Sequence, residues 1–295
     1  MKTLIAYATA CDDTTYVVPE GVTRIEDSAF SRCTSLTSVV VPNSVTRMGD
    51  FVFYKCANLK NVVLPARMTQ MGQYVFKLCS SLTKVDIPAG VEAIGEDMFR
   101  DCSSLTSVTL PKSVTSIGKC AFYRCGQLRS ITLPDNVADI GKWAFYECTS
   151  LKTVTIPKGV MSIEQRAFAN CTSIAKFAVS MFNRAYKARG KHLYTKDMKT
   201  LVCYALACRD NYYEVPDGVS RIEDSAVSKC PYIASITLPD DLTSIGDFGL
   251  DNCTSLKQIH FKGTTDMWKN ITIGEYALRK IAATKVTCSN GVINL

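Results

Sequence analysis

The sequence predicts a β-rich solenoid of 23-residue repeats, and three sets of positions predict it. Prolines fall at Pro19, Pro42, Pro65, Pro88, Pro111, Pro134 and Pro157, each 23 residues after the last, and Pro216 and Pro239 resume the step. Cysteines keep it at Cys33, Cys56, Cys79, Cys102, Cys125, Cys148 and Cys171, then Cys230 and Cys253. Phenylalanines keep it at Phe30, Phe53, Phe76, Phe99, Phe122, Phe145 and Phe168, relaxing to Val227 and Leu250. Self-similarity at a fixed period of this length marks a repeat architecture.

One copy, Val114 to Pro134, reads VTSIGKCAFYRCGQLRSITLP. Leu128, Ile131 and Leu133 end in the alternation of a half-buried strand, closed by Pro134. A shorter extended piece covers Val114 to Ile117, and Gly118 marks a turn after it. Neither piece can bury its apolar side alone. Stacking turn on turn gives each strand a parallel neighbour about 4.8 Å away and threads the Leu, Ile, Phe and Cys positions into internal ladders.

The 295 residues would ordinarily divide into about two domains, but a solenoid grows along one axis. We therefore expect a single solenoid domain over residues 1–295. Its parts are seven repeats over 1–179, an irregular turn over 180–215, further repeats over 216–262 and a C-terminal capping module over 263–295. No apolar run approaches the roughly 18 residues of a membrane span.

The pattern V-T-x-I-G-x-x-A-F-x-x-C-x-S-L-x-x-V-x-L-P resembles the BspA-like, or Treponema-type, leucine-rich repeats. The break between Pro157 and Pro216, 59 residues or one 23-residue step and a further 36, resembles that family's irregular turn. The residues that carry this are Asn183, Tyr186, Gly190, Leu193, Tyr194, Lys196, Asp197, Thr200, Leu201 and Tyr204, with Arg189 where the family has Asp. Gly263, Thr264, Trp268, Ile271, Gly274, Val286, Cys288, Gly291 and Ile293 resemble its closing module. The resemblance implies a surface or secreted binding scaffold of host-associated bacteria, with adhesion to host proteins as the implied role.

The first eleven residues, MKTLIAYATAC, can be read as a lipoprotein leader ending at Cys11. However, Met198 to Cys208 (MKTLVCYALAC) repeats that segment inside the solenoid, and the apolar stretch is short for a leader. The segment is better read as the middle of an irregular turn. The chain then reads as a piece of a longer protein, its signal sequence absent or lost upstream.

Nine of the fourteen cysteines occupy the Phe-x-x-Cys position and read as a buried ladder of reduced thiols. Cys11, Cys120, Cys203, Cys208 and Cys288 lie off it, and Cys203 can pair with Cys208. Two histidines, His192 and His260, and no C-x-x-C spacing argue against a metal site. The same scarcity argues against an enzyme, and no cofactor motif is present.

Net charge is +7, much of it local. Arg184, Lys187, Arg189, Lys191, Lys196 and Lys199 face only Asp197, and Arg184, Lys187, Arg189 and Lys191 are the candidate anion-binding residues. They read either as a solvated loop or as a docking patch for an acidic ligand, while the absence of base-reading elements argues against nucleic acid.

Candidate contacts lie where the repeat leaves the residue free. Two residues before each Phe the sequence varies as Ser28, Phe51, Tyr74, Asp97, Cys120, Trp143 and Arg166, with Phe248 near the end; one residue after it come Tyr54, Tyr123 and Tyr146. Phe51, Tyr54 and Tyr74 should cluster on neighbouring turns, as should Tyr123, Trp143 and Tyr146. Such aromatics suit recognition of a protein partner, or else cover the corner beneath them. The leading expectation is a non-catalytic protein-binding scaffold. The alternatives are a spacer that displays another domain, or a glycan- or polyanion-binding module.

Overall fold

The computed structural model describes residues 2–7 and 12–295. Cys11, the candidate lipidated residue, lies outside the described residues. The chain forms two compact units, Met1–Cys171 and Thr172–Leu295.

The first unit is a stack of parallel strands set by the period. Ser116–Ile117 pairs in parallel with Ala93–Ile94 on one side and Asp139–Ile140 on the other, always in 23-residue register. A second ladder joins Thr15–Val17, Ser38–Val40 and Asn61–Val63, and a third joins Lys84–Asp86 to Ser107–Thr109. The strand expected at Ile131–Leu133 is not formed, although Ile131 and Leu133 are buried as the pattern requires. Burial, rather than ladder bonding, fixes this stretch, because pairings three residues long add few bonds.

Inside the unit, the Phe ladder is a continuous column of rings. Successive centroids from Phe53 to Phe168 lie 5.1–5.5 Å apart with interplanar angles of 2–10°. The cysteines have a role that spacing alone did not disclose. From Cys56 to Cys171 the ladder thiols donate to the carbonyl of a Phe one turn earlier, as in Cys125 to Phe99 and Cys148 to Phe122, both 3.1 Å. Burial pushes the Cys102 and Cys125 thiols well above their ordinary value, so they stay protonated donors. The thirteen described cysteines are free, Cys203 and Cys208 among them. Those two donate to different carbonyls, of Tyr204 and Ala175.

The Ile-Gly turns differ from expectation in their cause. Gly118 does not have a positive φ; a Cβ there would lie 2.8 Å from the Gly95 carbon and the Ile94 oxygen. Close approach of neighbouring turns, not backbone freedom, selects glycine. The left-handed residues come later, and none is glycine in these corners. Two residues before each Phe and two after it, φ is +53 to +64°, as at Trp143 and Glu147. This turns the N–H along the stack, so that Trp143 donates to Gln165 and Glu147 to Ala169 in the next turn. Those bonds offset the roughly 1–2 kcal/mol that the left-handed conformation costs each residue.

In the second unit the period breaks and then resumes. Tyr186–Arg189 and His192–Thr195 form an antiparallel hairpin whose two-residue turn has Gly190 at φ +60°. Thr200–Cys203 pairs antiparallel with His192–Thr195 and parallel with Arg221–Ile222. Leu201 lies opposite Ile222 just as Leu4, in the first unit, lies opposite Ile25. Thr3-Leu4 and Thr200-Leu201 therefore pair alike, which agrees with the solenoid reading of the first segment.

Parallel strands resume at Tyr212–Glu214, Ser235–Leu238 and Gln258–Phe261. The closing module adds a short helix, Thr265–Lys269, capped by Thr264, and buries Trp268 edge-on against Phe261. Gly291–Asn294 then pairs antiparallel with Lys285–Cys288, reversing direction at the edge of the sheet.

Candidate binding surface

The left-handed corner residues and the residue after each Phe form two outward columns on the first unit. Because each turn advances by one strand spacing, side chains 23 residues apart in sequence become neighbours. The column after the Phe therefore reads Tyr54, Lys77, Arg100, Tyr123 and Tyr146, and the corner column reads Phe51, Tyr74, Asp97, Cys120, Trp143 and Arg166.

Both expected aromatic groups come together. Phe51 stacks on Tyr74 at 4.4 Å and meets Tyr54 edge-on at 5.7 Å. Tyr123 stacks on Tyr146 at 4.8 Å, and both line one cleft of about 390 Å³ with Trp143. All six residues are half-buried. Part of their faces is covered from within the fold: Arg100 lies 4.5 Å from the Tyr123 ring, Lys142 lies 4.5 Å from Trp143, and Lys77 lies 5.2 Å from Tyr74. These cation–π contacts stabilise the rings where they stand.

The cleft wall is charged but largely self-paired. Lys119 bonds Glu96 at 3.0 Å, while Asp97 is paired with Lys77 and, at 3.5 Å, with Arg100. Asp97 is only 3% exposed. Both of its ion pairs use Oδ2, and Oδ1 accepts no hydrogen bond among the described residues. The Cys120 thiol is pushed up to about 11 by burial and by this carboxylate, which favours its protonated form at neutral pH. In the sequence reading Asp97 stands only as one variable corner position, and Arg100 and Lys77 escape it because only the tyrosines of the column after each Phe are followed; reading that column whole finds both cations.

The basic segment is divided by the hairpin. Lys191 is engaged with Asp210 at 3.2 Å. Arg184, Lys187 and Arg189 have no carboxylate in ion-pair range among the described residues. Arg189 lies close enough to the Tyr194 and Tyr213 hydroxyls to favour their ionised forms, against burial that raises both.

Under the hairpin His192 stacks on Tyr204 at 4.1 Å and meets Tyr213 edge-on at 4.9 Å. Its Nδ1 accepts the Ala205 N–H. Burial lowers it to about 4, which makes it a neutral core residue. Beside this segment stands a feature with no periodic signal, the exposed pair Met181 and Phe182.

A family model for the BspA type leucine rich repeat region matches residues 6–125, 70–188 and 207–295. No curated protein matches the chain. Among solved structures, a leucine-rich cell surface protein from Faecalibacterium prausnitzii aligns with TM-score 0.64 at 24% identity, covering 88% of this chain and 90% of that one. The pneumococcal vaccine antigen PcpA aligns with TM-score 0.59 at 15% identity, covering 97% and 80%. A leucine-rich repeat protein from Bacteroides ovatus aligns with TM-score 0.54 at 21% identity, covering 93% and 70%. At these identities the likeness bears on the fold alone. No enzymatic family is indicated.

Proposed function

The chain belongs to the BspA type leucine-rich-repeat family, and from that premise we propose that it is a cell-surface or secreted scaffold that binds a host extracellular protein. The observation that carries this reading is the cleft at Tyr123, Trp143 and Tyr146. There the repeat dictates no residue type, yet three large rings stand beside the buried Asp97, whose Oδ1 accepts no N–H or O–H donor among the described residues. Rigid aromatics that lose little entropy on binding, next to a desolvated acceptor, form the centre of many protein interfaces. A donor from the partner would satisfy Asp97, while Phe51, Tyr54 and Tyr74 extend the contact along the stack. A protein of the same fold is described as a leucine-rich cell surface protein, and we carry that location to this chain as part of the proposal.

Surface plasmon resonance against a panel of immobilised extracellular-matrix proteins tests this. A bound protein should be lost by at least tenfold in the Tyr123→Ala, Trp143→Ala, Tyr146→Ala variant, since interface anchors are worth about 2 kcal/mol or more each. Binding unchanged in that variant removes the cleft, and no binding across the panel removes the adhesin reading.

A further inference from the structure

The two large apolar side chains on the turn before the hairpin are among the most exposed in the chain: Met181 at 82% and Phe182 at 72%. They do not sit on a loose loop. The Asn183 N–H donates to Ser180 O at 2.9 Å, closing the turn, and the Phe182 N–H donates to Ser180 Oγ. The buried Asn183 Oδ1 then accepts the N–H groups of Ala185 and Tyr186 at 2.9 and 2.7 Å. An Asx turn of this kind fixes the backbone on both sides, so the fold holds two apolar side chains out in water.

Three cations lie close to this pair along the chain and across the hairpin. Arg184 follows it directly. The Lys196 N–H donates to Ala185 O at 2.8 Å, which places Lys196 across from Arg184's neighbour. Lys187 lies one strand residue past Tyr186. Arg184 and Lys196 are exposed and Lys187 is half-exposed; none has a carboxylate in ion-pair range among the described residues. Nearby Asp197 is already engaged by the Lys199 N–H and the Thr195 hydroxyl.

A rigid exposed apolar pair with three unengaged cations close by along the chain and across the hairpin matches an anionic lipid surface: the side chains enter the headgroup boundary and the cations meet the lipid charge. A protein partner fits this geometry less well. Two side chains on one turn cannot by themselves bury the roughly 1,200 Å² of a stable specific complex. We infer that Met181 and Phe182, flanked by Arg184, Lys187 and Lys196, form a membrane-docking wedge for bilayers rich in anionic lipid.

The test is co-sedimentation of the intact chain with vesicles of phosphatidylcholine alone and of equal parts phosphatidylcholine and phosphatidylglycerol. Pelleting is expected with the mixed vesicles and not with phosphatidylcholine. Each of Arg184→Glu and Lys187→Glu should weaken it at least about fivefold and make the remainder less salt-sensitive. Met181→Ser with Phe182→Ser should weaken it about tenfold or more. Phe182→Trp should give emission that shifts to the blue on mixed vesicles, a readout independent of the loss-of-binding variants. Absence of pelleting, equal pelleting with neutral vesicles, pelleting that the double serine variant leaves unchanged, or an unshifted Phe182→Trp emission each overturns the assignment.

Discussion

The Phe and Cys ladders of the first unit and the irregular segment of the second solve one problem in opposite ways. In the ladders every turn offers the same ring and the same thiol, so each is satisfied by its copies at a spacing the strands already set. In residues 180–215 no neighbouring copy exists, and the segment builds a private core from His192, Tyr194, Tyr204 and Tyr213. Repetition lets one residue type do one job many times. A break in it requires distinct residues, each with its own partner, and frees others such as Met181 and Phe182 from any structural task.

The comparison is broken most directly in the ring column. Phe122 is fully buried and stacks on Phe99 and Phe145. Phe122→Ala removes both contacts and leaves a cavity in a stack whose members touch only their neighbours. The expected loss is about 3–5 kcal/mol of unfolding free energy. Urea titration followed by circular dichroism measures it, and a loss below about 1 kcal/mol would show that the column is not what holds the unit together.

How much of this was legible depends on whether a residue repeats. The Phe, Cys and Pro positions and the pairing of Phe51 with Tyr74 follow from a period and a strand spacing, whereas a closing module around Trp268 was expected only from the family resemblance. The left-handed corners did not follow, because residues as unlike as Ser28, Asp97 and Trp143 occupy them and the cause is a hydrogen bond along the stack. The thiol bonds were hidden for a similar reason: spacing places a cysteine but not its hydrogen. Within the candidate surface, the aromatics were legible by type, whereas Asp97 and Arg100 look like ordinary surface charges until their columns are aligned. In the irregular segment the sequence offered no register at all, so a buried histidine and an exposed Phe182 looked alike.

The private core has a titratable member, whereas burial raises the ladder thiols Cys79, Cys102, Cys125 and Cys148 away from neutrality, which gives a second contrast. Burial lowers His192 to about 4, with Lys191 lowering it further and Asp210 opposing. In the unfolded chain it titrates near 6.5. The folded form therefore binds fewer protons between those values. The stability contributed by neutral His192 is complete above about pH 6.5 and is lost progressively as pH falls toward 4. The full difference amounts to about 3 kcal/mol. Denaturant midpoints across that range should fall more steeply for the natural chain than for His192→Gln, whose amide can still accept the Ala205 N–H. Parallel slopes would mean that the imidazole is hydrated in solution.

The finest form of the contrast lies in two glycines kept for different reasons. Gly118, in a repeat turn, has a backbone any residue can adopt but no room, since a Cβ would sit 2.8 Å from the backbone of the preceding turn. Gly190, in the hairpin, has open space around it and a φ of +60°. Alanine at Gly118 must push two turns apart, an overpacking cost of about 1–3 kcal/mol. Alanine at Gly190 meets only the left-handed penalty, near 1 kcal/mol. The two costs also differ in reach: the first should loosen amide protection in the turns of Gly95 and Gly141, and the second should stay within the hairpin. Hydrogen exchange on both variants decides the point. If Gly118→Ala leaves the adjacent turns protected, close approach is not the reason for the repeated glycine, and the turns must be held apart by something other than their backbones.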